Sequence, residues 1–162
     1  MATTKGQNLR ILLGNSASNL KCIAAAQSCV LHVSAQVDES SSKDSPSEWQ
    51  EHEITFINWD VQVDALITTT ADGGVLVSGL TIGETYILRF SQTAASGNNR
   101  TPIVNRLQMT GEAILSDLTL VAKDEDFATW SAKFTGDGAL SQYSYFFYQR
   151  NYDNREINSD LR

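Results

Sequence analysis

The stretch "LQMTGEAILSDLTLVAKDEDFATWSAKFTGDGAL", residues 107–140, decides the fold. In its second half Ala128, Trp130, Ala132 and Phe134 alternate with Thr129, Ser131 and Lys133. That period of two belongs to a strand with one dry face and one wet face. The first half reads as another strand, and "AKDEDF" between them is polar enough to turn in water. The spacing predicts an antiparallel pair over residues 107–122 and 127–135.

Working outward, the same alternation recurs. In "LRILL" Leu9, Ile11 and Leu13 share a face, and in "CVLHVSAQV" Cys29, Leu31, Val33, Ala35 and Val37 point one way. In "WDVQVDAL" Trp59, Val61, Val63 and Ala65 oppose Asp60, Gln62 and Asp64. "TYILRFSQ" places Tyr86, Leu88 and Phe90 together, and "SGNNRTP" is a loop. The looser spacing of "ADGGVLVSGLTIGETY" predicts one short helix near residues 74–80. The expected fold class is mainly β: a sandwich or barrel of antiparallel strands with one short flanking α-helix and a long hairpin loop.

That loop lies in "QVDESSSKDSPSEWQEHEI", residues 36–54, a polar insert too long for an ordinary hairpin turn. Cys22 and Cys29 flank a two-residue turn at Ala25 and Ala26, which predicts an antiparallel pair with the two thiols opposite one another. They read as small apolar residues, because nothing nearby completes the four ligands of a zinc site. The last residues, "QYSYFFYQRNYDNREINSDLR", hold four of the chain's five tyrosines and read as a tail lying on this molecule or on a neighbour.

The totals exclude several classes. The 162 residues fit one domain, and a formal charge of −7 repels phosphate backbones. No apolar run approaches the ~18–20 residues of a membrane helix. The N-terminus lacks a signal peptide's apolar region, so a cytoplasmic site of synthesis is expected. His32 and His52 have no "G-x-S-x-G" elbow beside them, and "GLTIGE" lacks the Gly-Lys-Ser/Thr of a phosphate loop. Asp124, Glu125, Asp126 and Asp137 do not follow EF-hand spacing and read as solvated turns. The sequon at Asn99 needs a secretory route to be used. No enzyme, cofactor or metal is expected.

The order of these elements resembles the major tail (tail tube) proteins of long-tailed phages. The matching positions are Gly111, Ala113, Leu115, Leu118, Ala122, Trp130, Ser131, Phe134, Gly136, Gly138 and Leu140. "KGQNLRILLG", the "KCIAAAQSCVLHVSAQVDESSSKD" hairpin and "WQEHEITFINWDVQVDAL" match the family order of strand, hairpin, polar loop and Trp strand. The likeness covers about residues 5–141, leaving 142–162 as a C-terminal extension of a tail tube domain spanning 1–141.

The resemblance implies hexameric rings that stack into a hollow tube. This would be a structural virion protein in the tail, assembled in the host cytoplasm. Tape measure, tip and terminator proteins are the implied partners, and DNA would pass only in non-specific transit. On this reading loop 38–51 is an inter-ring arm built of Asp38, Glu39, Ser42, Lys43, Asp44 and Glu51 around Trp49. Asp60, Gln62 and Asp64 are the candidates to face the lumen, where carboxylates would repel DNA rather than bind it. Two other readings stay open: a secretion-system tube protein, and a carbohydrate-binding β-sandwich module.

Overall fold

The computed structural model describes residues 3, 5–40, 49–70, 74–93 and 107–143. Among these residues seven strands form a single antiparallel sheet: β1 (Leu9–Gly14), β2 (Lys21–Cys22), β3 (Ala26–Glu39), β4 (His52–Leu66), β5 (Thr85–Gln92), β6 (Gln108–Val121) and β7 (Thr129–Tyr143). Their order across the sheet is β2-β1-β5-β6-β7-β4-β3. The 107–140 stretch is the hairpin of β6 and β7, with β5 on one flank and β4 on the other. The second strand runs farther than the predicted 135, because Leu140 still has apolar neighbours to pack against.

The sheet curls around its own core. Ile11 of β1, Leu31 of β3, Trp59 of β4, Leu88 of β5, Met109 of β6 and Leu140 of β7 line one small void, so strands remote in sheet order face each other. The alternation read from sequence selects the buried face. Ile11, Leu13, Val61, Val63, Ala65, Leu88, Trp130, Ala132 and Phe134 are all buried. Phe134 is wholly enclosed, and Tyr86 meets its ring edge-on with centroids 6.2 Å apart. The Tyr86 hydroxyl accepts a hydrogen bond from the Thr81 N–H at 2.9 Å, which satisfies the polar end of a buried ring.

Trp59 sets the centre of this core. Its indole lies across β7 and β6 at two positions that carry no side chain, Gly136 and Gly111. A Cβ at Gly111 would stand 2.6 Å from the ring, and one at Gly136 would stand closer still. The indole Nε1–H donates to the carbonyl of Gly138 at 3.0 Å. Gly138 itself sits at φ 85°, a backbone conformation that costs an L-residue a Cβ clash. The spaced glycines of "MTGEAILSDL" and "FTGDGAL" are therefore the floor and rim of a slot for one tryptophan.

Two local expectations are corrected. Residues 74–80 hold only a 3-10 turn, Val77–Gly79, and no α-helix occurs among the described residues. Val75, Val77 and the glycines disfavour a longer helix. A bridge between Ile23 and Val75 fixes the segment in extended form instead. The Cys22–Cys29 hairpin does not form. Cys22 pairs with Leu12 across β1 and β2, whereas Cys29 pairs with Val63 on β4. Burial of Ile23 and Ala24 ends β2 after two residues, and Ala25 at φ 51° redirects the chain into β3. Neither cysteine forms a disulfide. Burial pushes the Cys29 thiol above its ordinary range, opposed by a hydrogen bond from the backbone of Ile11 and by the charge of Arg10.

This packing can be challenged at two positions. Phe134→Ala should lower stability by about 3–5 kcal/mol, and Gly136→Ala by about 1–3 kcal/mol or more through overpacking against Trp59. Urea denaturation reads both, and an unshifted midpoint in either variant refutes the packing described. For Cys29, a raised folded-state pKa means that the unfolded chain releases its proton first as pH rises. Stability should therefore fall once pH passes the ordinary thiol pKa of about 8.5. That alkaline loss should shrink in Cys29→Val, as read by thermal melts across the alkaline range.

Candidate assembly surface

β3 and β4 stay paired from Ala26–Ala65 to Glu39–His52, but β7 accompanies β4 only as far as Asp60–Thr135. Beyond that point the hairpin continues as a ribbon of two strands. A lone hairpin gains too little from its own contacts to be more than marginally stable in water. This one is anchored through Trp59 and Val61, both buried at its base.

The face of the ribbon that continues the core is apolar and uncovered. Val33 lies opposite Trp59, Ala35 opposite Ile57 and Val37 opposite Ile54. The register slips one place between Gln36 and Val37, so that Thr55 is the extra residue on β4. The bulge brings Ile54 back to the face that Ile57 occupies. Val33, Val37, Ile54 and Ile57 are between 47% and 64% exposed. Phe56, on the opposite face, is half exposed.

The arm residues named from sequence fall in three places. Asp38 and Glu39 end β3, and the Asp38 carboxylate accepts a hydrogen bond from the Thr55 hydroxyl at 2.7 Å. The Glu51 carbonyl accepts from the Ser40 N–H at 2.9 Å, extending the pairing past the last ladder residue. Trp49 is 84% exposed at the far end of the ribbon. Ser42, Lys43 and Asp44 lie outside the described residues. Sequence reasoning dwelt on the polar loop 38–51 and did not single out the exposed apolar stripe on the strands that flank it. The available signal is the alternation of Val33, Ala35 and Val37, which continues along β3 up to that loop.

The three lumen candidates do share a face. Asp60, Gln62 and Asp64 point away from the core, opposite Thr135, Lys133 and Ser131 on β7 and His32, Val30 and Ser28 on β3. Asp60 lies 3.4 Å from the His32 ring. Asp117 is paired with Lys133 and Glu112 with Asp137, which adds three carboxylates on the same side of the sheet. Five carboxylates against Lys133, Arg10 and the part-buried Arg89 leave this face net negative. Among the described residues no cluster of His, Cys, Asp or Glu could hold a metal ion. The chemistry available here is repulsion of anions. β3 is the last strand of the sheet order, with no further strand beyond it among the described residues.

The fold is of the tail-tube type. It is similar to the tail of an empty gene transfer agent particle, refined helically with C6 symmetry, at TM-score 0.65 and 14% identity over 88% of this chain and 100% of that one. It is likewise similar to the SPP1 tail tube, at TM-score 0.62 and 10% identity over 88% of this chain and 80% of that one. The native gene transfer agent virion supplies another neighbour, at TM-score 0.60 and 13% identity over 88% and 100%. No family model and no curated protein matches the sequence. At these identities the likeness establishes the fold.

Because the ribbon lies outside the core, Ile57→Lys should leave thermal stability within about 0.5 kcal/mol of the parent, as exposed substitutions do. Val61→Lys, four residues along the same face, should unfold the chain. Circular dichroism melts of the pair give the comparison, and equal damage from both would show that the ribbon is core.

Proposed function

We propose that this chain is the subunit of a phage-type tail tube, a structural protein and not an enzyme. Six copies close a ring, rings stack into a tube, and DNA transits the lumen. The protein resides in the virion tail after assembly in the host cytoplasm, alongside tape measure, tip and terminator proteins. The observation that carries this reading is a tail-tube-type sheet whose β3–β4 hairpin ends in an apolar face covered by nothing in the described chain. Free sheet edges and exposed apolar faces are liabilities in a monomer and assets in an assembly.

In this reading the β3–β4 ribbon is the inter-ring arm. Trp49 is the apolar anchor at its end, and Asp38, Glu39 and Glu51 are the polar surround. The face bearing Asp60, Gln62 and Asp64 lines the lumen, where fixed carboxylates keep phosphates off the wall. Repulsion lowers the friction of passage, which attraction would raise.

Negative-stain electron microscopy of the purified protein over a concentration series, with light scattering on the same samples, tests the proposal. Rings with a central hole, or stacked tubes of uniform diameter, are expected. Trp49→Ala and deletion of residues 40–47 should leave the fold intact and shorten the tubes. Tubes of parental length and heat resistance from both variants would remove the arm from the contact between rings.

A further inference from the structure

The pole of the sheet opposite the ribbon holds a cleft that matches Trp49 in size and chemistry. It is lined by Leu66 where β4 ends, by Val121 where β6 ends, and by Lys123, Asp126 and Phe127 of the turn between β6 and β7. The cleft offers about 280 Å³. Small-molecule clefts usually run from about 300 to 1,000 Å³, so this one suits a single large side chain better than a free ligand. Phe127 on its wall is 84% exposed, as is Trp49 at the end of the ribbon.

Each lining group has a use for an indole. Leu66 and Val121 supply apolar wall, and the Phe127 ring can stack against another aromatic ring. The Lys123 ammonium can stand over the face of a tryptophan, the ring that attracts a cation best. The Asp126 carboxylate can accept from the indole Nε1–H, which only donates. A leucine or phenylalanine in the same place would leave that acceptor unused.

A molecule cannot fill its own cleft with Trp49. β3 carries the chain from Gln27, which also lines the cleft, to Glu39 at the ribbon's end. That distance is about 40 Å at about 3.3 Å per strand residue. Glu51, two residues after Trp49, is bonded through its carbonyl to the Ser40 N–H, which holds Trp49 at the far end. The occupant must come from a second copy.

We propose that Trp49 of one copy seats in the cleft beside the β6–β7 turn of the next. This rests on the arm reading given above and names the surface that the arm engages. Each copy gives one ring and receives one, so the contact repeats head to tail.

The test puts a photoreactive benzophenone amino acid in place of Trp49 in the full-length chain. An equal mixture of isotope-labelled and unlabelled protein is irradiated at high concentration and digested. Peptide mass spectrometry should find mixed-label links from position 49 to residues 121–127 or to Leu66. Links confined to other peptides, links only within single chains, or no links at all overturn the proposal. Tubes without the expected link leave the tube reading standing and remove this one, and the expected link without tubes does the reverse. The onset of association, read by light scattering, gives a second measurement. Trp49→Ala and Phe127→Ser lie at exposed positions and should keep the parental circular dichroism spectrum. Each should raise the onset concentration about tenfold or more, as loss of an aromatic anchor does. Because the two rings share one contact, the double variant should raise it no further than the single variants. Fully additive effects would show two separate contacts and overturn the pairing.

Discussion

Everything in this structure is arranged around the indole of Trp59. It crosses two neighbouring strands where glycines leave bare backbone, and its one polar atom is bonded to the Gly138 carbonyl. A sheet that packs on itself must bring strands distant in order into contact, and bulky residues on both walls would hold them apart. Bare backbone on β6 and β7 lets one large ring fill the middle while Val61, Leu115 and Phe134 fill the space beside it. The constraint is steric and specific, because interiors are packed too densely to absorb an added methyl group freely.

The same tryptophan marks where the core ends. β7 parts from β4 at Asp60–Thr135, one residue past Trp59, and turns to stay with β6. Two slips of register between β6 and β7, at Thr110/Glu112 and Leu115/Asp117, accompany that bend. Ser116 at the second slip bonds the Lys133 carbonyl and the Thr135 hydroxyl, which satisfies the polar groups the slip frees. Bulges sharpen local twist, so the sheet can curl around its core. Curl produces the core, and the part of the β3–β4 hairpin that β7 no longer accompanies is the ribbon.

The strands were legible because alternation is a local signal. Ala128 to Phe134 and Trp59 to Ala65 show their buried faces with no knowledge of the partner strand. The polar face carrying Asp60, Gln62 and Asp64 was legible for the same reason. Where the chain ran against the reading, a non-local contact decided. The Ile23–Val75 bridge redirects both the expected cysteine hairpin and the expected helix, although 52 positions separate its two residues. The ribbon's exposure was hidden by a different limit. Alternation says which residues share a face, and only the course of β7 says whether that face is covered at Val33 and Val37. The glycines of the Trp59 slot stood out in sequence as a pattern, and their reason is a side chain from another strand.

A sheet whose ends differ chemically favours head-to-tail association over a two-fold dimer. One pole carries the ribbon and Trp49; the other carries the β6–β7 turn, where Phe127 is as exposed as Trp49, each at 84%. Leu120 and Val121 add apolar surface beside that turn. A two-fold contact would set like against like, ribbon on ribbon, and leave the opposite pole of each molecule uncovered. A heterologous contact uses both poles of every copy and repeats without limit unless rotation closes it into a ring. Closure in one direction and open repetition in the other is the geometry of a tube. The acidic face lies at neither pole, and carboxylates brought together without partners would oppose its use in either contact.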